Sequence, residues 1–372
     1  MHLKIILAIA CWLQVSIYAL VTVENRHNAL QLTTLYGTTL IAEPVLITLI
    51  KSPAFERLQH INQYGAVHYV EGQKKFTRYE HSLGVFFLTK KFGAPLDEQI
   101  AALLHDVSHT VFSHVGDVLF KSNYRSGKDS YQDTIHEWYL KQSGIANILQ
   151  SYGYEHACSA AAKQRQRCFE QSLPNLCADR IEYNLSGGFL DGLITADEIH
   201  NLLNALHFQE ESWFFDSQAM AEKFGRLSLE LSESRWGSAW GVFVDYIASL
   251  ALQRAIDLAI ITYHDIHFST DEVIWQRLNV SQDSTILSYL DAIEKCTTRY
   301  VLASSGAEDI HLRGKFSGTD PFVAHNGKLV RLRELSESYP TEFARVKNLV
   351  ATGWHITFIN AKTIPSIAYW HL

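Results

Sequence analysis

The sequence predicts a mainly α-helical protein with a small α+β C-terminal portion. Three observations predict it. Apolar residues recur at helical spacing in one segment after another from Pro53 to Cys296. Strand-like alternation stands out only late, in Gly327-Lys-Leu-Val-Arg-Leu-Arg and Trp354-His-Ile-Thr-Phe-Ile. The composition, 47% hydrophobic and 19% charged over 372 residues, is that of a folded chain with a full core and room for more than one domain.

Taken in order, the chain opens with Lys4 and an apolar run from Ile5 to Leu20 broken only by Gln14 and Ser16. The run is shorter than the ~20 residues of a membrane span. A basic start, an apolar middle and the small residue Ala19 predict a secretory signal over residues 1–19, although Ile17 fits the cleavage rule poorly. The alternative is a buried first helix. The protein is exported, to the periplasm or beyond, if the signal is used, and cytoplasmic otherwise; once processed it has no stable membrane span.

Residues 25–76 read as a lead-in, with an apolar stretch from Leu40 to Ile50. Phe55, Leu58 and Ile61 then share a helical face between Pro53 and Gly65. Helices are expected over Ser82–Phe92, Asp97–His105, His114–Phe120, Thr134–Gln142 and Asn175–Leu185. Further ones follow at Ala196–Leu206, Asp216–Leu231, Trp240–Thr262, Asp271–Leu278, Ser284–Cys296 and Pro340–Thr352. Ser151–Gln171 is polar and alanine-rich, either a helix or a lid. No internal repeat or low-complexity linker interrupts the pattern. The expected division is a core over 20–265 and a C-terminal α+β portion over 266–372.

Net charge is −7 with pI ≈ 6.2, which leaves no electrostatic footprint for duplex nucleic acid. A local basic pocket for a phosphate is still compatible with it. Beyond Cys11 the cysteines are Cys158, Cys168, Cys177 and Cys296, with no Cys-x-x-Cys pair to hold zinc. Export would make a Cys158–Cys168 disulfide conceivable; four reduced or buried thiols is the reading adopted.

The chemistry concentrates between His81 and His114. His81, His105, Asp106, His109 and His114 lie there in sequence that otherwise reads as buried helix. Imidazoles and carboxylates inside apolar sequence need partners, and a metal ion satisfies several at once. His109 falls four residues after His105, on the same face if the helix persists. Asp179 lies downstream in an apolar helix, where a carboxylate is costly unless paired. The dipeptide His264-Asp265 has no such neighbours and is read as a polar turn.

Five motifs occur in order: Phe55-Glu-Arg-Leu with Gln63-Tyr-Gly, Arg78-Tyr-Glu-His-Ser-Leu-Gly-Val, Leu104-His-Asp-x-x-His-x-x-Phe-Ser-His, His136-Glu, and Asp179-Arg-x-Glu-Tyr. In this order they resemble the HD-domain phosphohydrolase superfamily, and within it the deoxynucleoside triphosphate triphosphohydrolase branch. The resemblance covers Pro53 to about Gly187, with a weaker echo at Lys315–Leu335. It implies an HD-domain helical core in which His81, His105, Asp106 and Asp179 ligate one divalent metal. Two imidazoles and two carboxylates suit Mn, Fe, Zn, Co, Ni or Mg and do not choose among them. It implies that His109, His114, Asp117 and His136 lie beside the metal as acid–base groups. His136, facing its neighbour Glu137, is the expected general acid. It further implies that Arg78 and Arg180 contact phosphate, as a guanidinium fork suits, and that Gln63 and Tyr183 contact a sugar.

The chain also departs from the pattern. Lys51, Glu56 and Gln59 stand where nucleotide-activated members bind their activator, so no activation by a guanine nucleotide is expected. Tyr64 replaces a leucine that crowds the sugar 2′ position, and Gly187 replaces a carboxylate on the 3′ side. The expected function is hydrolysis of (deoxy)nucleotide phosphates. Alternatives are a phosphodiesterase or monophosphatase acting on another phosphoester, and a non-catalytic nucleotide sensor. A homo-oligomer is left open.

Overall fold

The computed structural model describes residues 20–70, 75–120, 130–159 and 167–359. The expected signal segment lies outside them, as does the middle of the 151–171 stretch. The described chain is mainly helical, with three small sheets.

The first sheet has no counterpart among the expected elements. Val21–Arg26, Ala29–Thr34 and Gly37–Ile41 form a three-stranded antiparallel meander in the region read as a lead-in. Its signal was local: Leu30, Leu32 and Thr34 are buried and alternate with half-buried Ala29, Gln31 and Thr33. The buried face packs on the helix Arg78–Lys91.

That helix starts one turn earlier than Ser82. Thr77 and Glu80 form a reciprocal capping box, which draws Arg78 and His81 into the first turn. From His81 to Thr89 every residue is buried, because Leu96–Leu104 covers one side and Ala178–Leu190 another. Fully burying Leu83, Phe86 or Leu88 contributes roughly 1.5–3 kcal/mol each.

The helix Leu96–Leu104 ends sooner than expected. Beyond it the hydrogen bonds tighten to three-residue spacing, from Val107 N to the Leu104 carbonyl and from His109 N to the Asp106 carbonyl. His109 is therefore not on a continuing helix. Phe112 and Ser113 then adopt left-handed φ of 56° and 52°, reversing the chain before the short helix Val115–Leu119. Ala178–Leu190 starts later than predicted, so Asp179 sits in the first turn, where the helix dipole favours a carboxylate.

The helix from Ala196 ends at Asn204 rather than Leu206, and Leu206–Gln209 and Ser212–Phe215 form a hairpin before the next helix. Ser212–Phe215 pairs in parallel with Phe322–His325, which pairs with Lys328–Arg331. Tyr300–Leu302, Trp354–Phe358 and Ile310–Leu312 make the third sheet, with Trp354–Phe358 central. The expected boundary at 265 falls inside the helix Tyr263–Phe268. His264-Asp265 is thus not a turn: Asp265 closes that helix's capping box with Thr262 and pairs with Arg277. Among the described residues, no helix is long and apolar enough to cross a membrane.

Candidate metal centre and active site

His81, at the start of Arg78–Lys91, and His105, at the end of Leu96–Leu104, face each other with their Nε2 atoms 3.2 Å apart. Asp179 Oδ1 lies 3.0 Å from His81 Nε2 and 3.5 Å from His105 Nε2. Asp106 adds Oδ2 at 3.6 Å from His81 Nε2 and Oδ1 at 3.4 Å from His105 Nε2. The structure brings all four expected ligands together.

The tautomers are set by what lies behind the rings. His81 Nδ1 donates to the Glu182 carboxylate, and His105 Nδ1 donates to the Ala102 carbonyl at 2.8 Å. Both Nε2 atoms are thereby aimed at one point. At this distance they repel unless a proton on one of them or a metal cation lies between them. An ion about 2.1 Å from each ligand, at angles of about 90–110°, would separate the ligand atoms by about 3.0–3.4 Å. The donor set and its spacing fit one divalent ion.

The electrostatics agree. Burial works against charge on Asp106, but Arg78, His105 and His109 outweigh it and hold its carboxyl well below the ordinary range. Burial likewise opposes charge on Asp179, and His105 and His81 overcome it, so this carboxyl is also held down. For His81, burial disfavours the imidazolium, yet Glu182, Asp179 and Asp106 push its pKa up to about 10. A metal bound here must displace that proton.

A second cluster, Glu170, Cys177 and Asp179, has ligand-type atoms within 4.8 Å of one another. It is a poor cation site. Arg180 Nη1 lies 3.1 Å from Cys177 Sγ, and burial lifts the thiol well above its ordinary value. A protonated thiol beside a guanidinium does not ligate.

The expected acid–base groups line the same cavity, except that Asp117 sits behind His114. His109 Nε2 is 3.2 Å from Asp106 Oδ1. Burial, with Arg78 next, pulls its pKa down to about 3, so it is neutral. Asp117 Oδ2 accepts from His114 Nδ1 at 2.9 Å, which makes Nε2 the basic atom of His114. His136 is buried with Nδ1 2.9 Å from Ser108 Oγ. Its expected partner is not Glu137, which points to solvent and pairs with Lys141. Adjacent helix positions face apart, so a neighbour in sequence cannot support the ring.

The expected substrate groups also reach the cavity. Arg78 is 3% exposed, and its fork holds Asp106, Ser113 Oγ and the Gln63 carbonyl. Arg180 is tied to the carbonyls of Asn175 and Gln171. Gln63 Oε1 is buried without a partner among the described residues, and Tyr183 packs edge-on against Trp236. Tyr64 and Gly187 meet: a Cβ on Gly187 would lie 3.3 Å from the Tyr64 hydroxyl. Lys51, Glu56 and Gln59 are exposed at the surface.

Three supporting groups have no role assigned by the sequence reading. Glu182 lies within the Asp179-Arg-x-Glu-Tyr motif. Tyr36 donates to Glu182 at 2.9 Å from the unpredicted meander, and Ser108 sets His136. Glu182 fits only because residue 84 is glycine; a Cβ there would lie 2.6 Å from its Oε1.

Comparison with known proteins agrees with this geometry. The HD domain family matches residues 78–172. An uncharacterised Bacillus subtilis protein, YdhJ, is 34% identical over 294 residues, covering 79% of this chain and 88% of its own. The metal-dependent phosphohydrolase cns2 of Cordyceps militaris is 35% identical over 190 residues, 49% of this chain and 51% of its own length. Human deoxynucleoside triphosphate triphosphohydrolase SAMHD1 is 30% identical over 129 residues, 30% of this chain but 21% of that protein. A phosphohydrolase structure from Bacteroides thetaiotaomicron superposes with TM-score 0.63 at 15% identity, over 91% of this chain and 99% of that one, a likeness of fold. The chain belongs to the HD-domain family of metal-dependent phosphohydrolases, whose cofactor is a divalent metal ion.

Proposed function

We propose that the protein hydrolyses phosphate esters or anhydrides of nucleotides, with His81, His105, Asp106 and Asp179 as its metal ligands. The single observation that carries the substrate class is the cavity. It encloses about 770 Å³, within the ~300–1,000 Å³ of small-molecule sites. Its lining combines the four ligands, Arg78 and Arg180 with the aromatic side chains Tyr64, Tyr183, Trp236 and Trp240. A ligand carrying both an anionic group and an aromatic ring matches that lining.

The metal, when bound, supplies an acidified water and neutralises phosphate charge. This chain's own residues do the rest. Arg78 and Arg180 orient phosphate oxygens, while Gln63 Oε1 accepts from a substrate hydroxyl. His114, its proton fixed on Nδ1 by Asp117, takes up a proton at Nε2. His136, braced by Ser108, delivers one to the leaving group. Similarity to SAMHD1 supports a triphosphate substrate. The changed sugar positions Tyr64 and Gly187 favour keeping a monophosphatase or phosphodiesterase as the second reading.

The test is turnover of dGTP, GTP and p-nitrophenyl phosphate by Mn-loaded protein, following triphosphate and phosphate separately. Release of triphosphate or phosphate from dGTP or GTP supports the first reading, with triphosphate marking a triphosphohydrolase; phosphate released from p-nitrophenyl phosphate alone moves the assignment to a monophosphatase. Nucleotide binding without turnover of any substrate would make the protein a sensor instead.

A further inference from the structure

Asp271 is 1% exposed and lies far outside the family-matched segment. Its carboxylate accepts three hydrogen bonds from two separate parts of the chain. Oδ2 takes Asn62 N at 2.7 Å and Asn62 Nδ2 at 2.8 Å, and Oδ1 takes Phe112 N at 2.7 Å. Among the described residues no regular ladder joins these two segments; the carboxylate ties them together with one direct bond, from the Ser113 hydroxyl to the Asn62 carbonyl.

The tied point is a demanding one. Phe112 and Ser113 are consecutive left-handed residues without being glycine, a backbone that needs its surroundings to hold it. Gly65 presses against the Phe112 carbonyl so closely that a Cβ there would lie 2.4 Å from it. The same stretch of chain braces this turn elsewhere: Val111 N donates to the Ile266 carbonyl at 3.0 Å. Arg57 links the carbonyls of Ser269 and His109 at 2.8 and 3.0 Å.

From Asn62 the contacts lead into the metal centre. The Ser113 hydroxyl donates to the Asn62 carbonyl at 2.6 Å and accepts from Arg78 Nε at 2.8 Å. Arg78 in turn holds Asp106 Oδ2, and His114 follows Ser113 directly.

We propose that Asp271 is a positioning residue for this site, acting on Asp106 through Asn62, Ser113 and Arg78 and on His114 through the 112–113 turn. It does not touch substrate. Its effect on turnover rests on the hydrolase reading above, whereas its effect on metal affinity does not. Burial lifts its carboxyl to about 6 against the pull of its three donors, so it is mostly ionised and accepting at neutral pH. Asparagine in its place would turn an NH₂ toward a backbone N–H, breaking one of the two ties without changing shape.

The experiment compares wild type, Asp271→Asn, Ser113→Ala and the double variant. Mn²⁺ is titrated into metal-free, full-length protein well below its melting temperature, and kcat and KM are then measured. Residues behind metal ligands typically contribute 10–100-fold to affinity or activity. Expected is about tenfold weaker Mn²⁺ binding and lower kcat with little change in KM for each single variant. The double variant should be no worse than about twofold beyond either, because both changes break one relay. A lowered melting temperature with Mn²⁺ affinity and kcat within twofold of wild type would make Asp271 a purely structural residue and overturn the proposal. Fully additive losses would overturn the relay. Should Asp271→Asn not fold, Ser113→Ala with wild-type Mn²⁺ affinity overturns it alone. Wild-type protein that binds Mn²⁺ but hydrolyses nothing would sink the hydrolase reading, while the affinities still decide the role of Asp271.

Discussion

Replacing Glu182 by glutamine isolates the charge behind the metal centre. Glu182 is 2% exposed and accepts from His81 Nδ1, from the Tyr36 hydroxyl at 2.9 Å and from the Ser186 hydroxyl at 2.6 Å. A glutamine can keep its oxygen on His81 and turn its NH₂ to the two hydroxyls, which rotate to accept. No donor is orphaned; only the charge is lost. A charge-assisted hydrogen bond contributes about 1.5–3 kcal/mol against about 0.5–1.5 for a neutral one. The difference, about 1–1.5 kcal/mol, is about tenfold in affinity. The same change lowers the His81 pKa and removes part of the competing proton. A divalent ion gains more from the carboxylate than a proton does, so the loss survives, larger at pH 8.5 than at pH 7. Titration calorimetry of metal-free protein with Mn²⁺ at both pH values measures it. Glu182→Ala differs in kind, because it orphans His81 Nδ1 at about 1–3 kcal/mol and should lower the melting temperature, while the Tyr36 and Ser186 hydroxyls keep each other at 2.8 Å. Gly84→Ala, by crowding the Glu182 carboxylate, should copy the metal defect without replacing any titratable residue. Mn²⁺ affinity within twofold of wild type in Glu182→Gln at pH 8.5 would refute the reasoning.

Further expectations concern the metal, pH and the substrate. His105→Ala with Asp106→Ala should abolish bound metal and activity while circular dichroism stays helical; elemental analysis finding full metal content would overturn the ligand assignment. Metal-free His81, pushed up to about 10 from its ordinary 6.5, is protonated at neutral pH and must release that proton on binding. Mn²⁺ affinity should therefore rise about tenfold per pH unit from 6.5 to 8.5. A raised histidine stabilises the fold fully below about 6.5 and loses that contribution toward 10, so metal-free melting temperature should fall over that window; pH-independent affinity would contradict both. Ribo- and deoxyribonucleotides should differ by no more than about tenfold in kcat/KM, about 1.4 kcal/mol. A hundredfold preference would mean that Tyr64 or another residue reads the 2′ position. Added GTP should leave the substrate curve hyperbolic, since Lys51, Glu56 and Gln59 are exposed and unlike an activator site; sigmoidal kinetics restored by GTP would place that role on another surface.

The helical class was legible in the sequence by itself, and His81, His105, Asp106 and Asp179 stood out there as candidate ligands, as a set through the resemblance of the ordered motifs to a known family. Helical periodicity is a local property, and polar groups set in apolar sequence announce that they need partners. The first sheet is legible too, in the alternation about Leu30 and Leu32, although the polar residues flanking it mask that signal. Local pattern could not say what stands behind the ligands. Glu137 adjoins His136 in sequence and faces solvent, while Ser108, on another segment, holds the ring. Tyr36 and Glu182 are 146 residues apart, and Asp271 and Asn62 are 209 apart. A hydrogen bond between distant segments leaves no periodicity, because its partners are set by how helices pack rather than by spacing along either one. The residues that could bind a metal were therefore written in the chain, whereas the tautomers, charges and backbone turns that aim them were decided only when the tertiary structure brought those segments together.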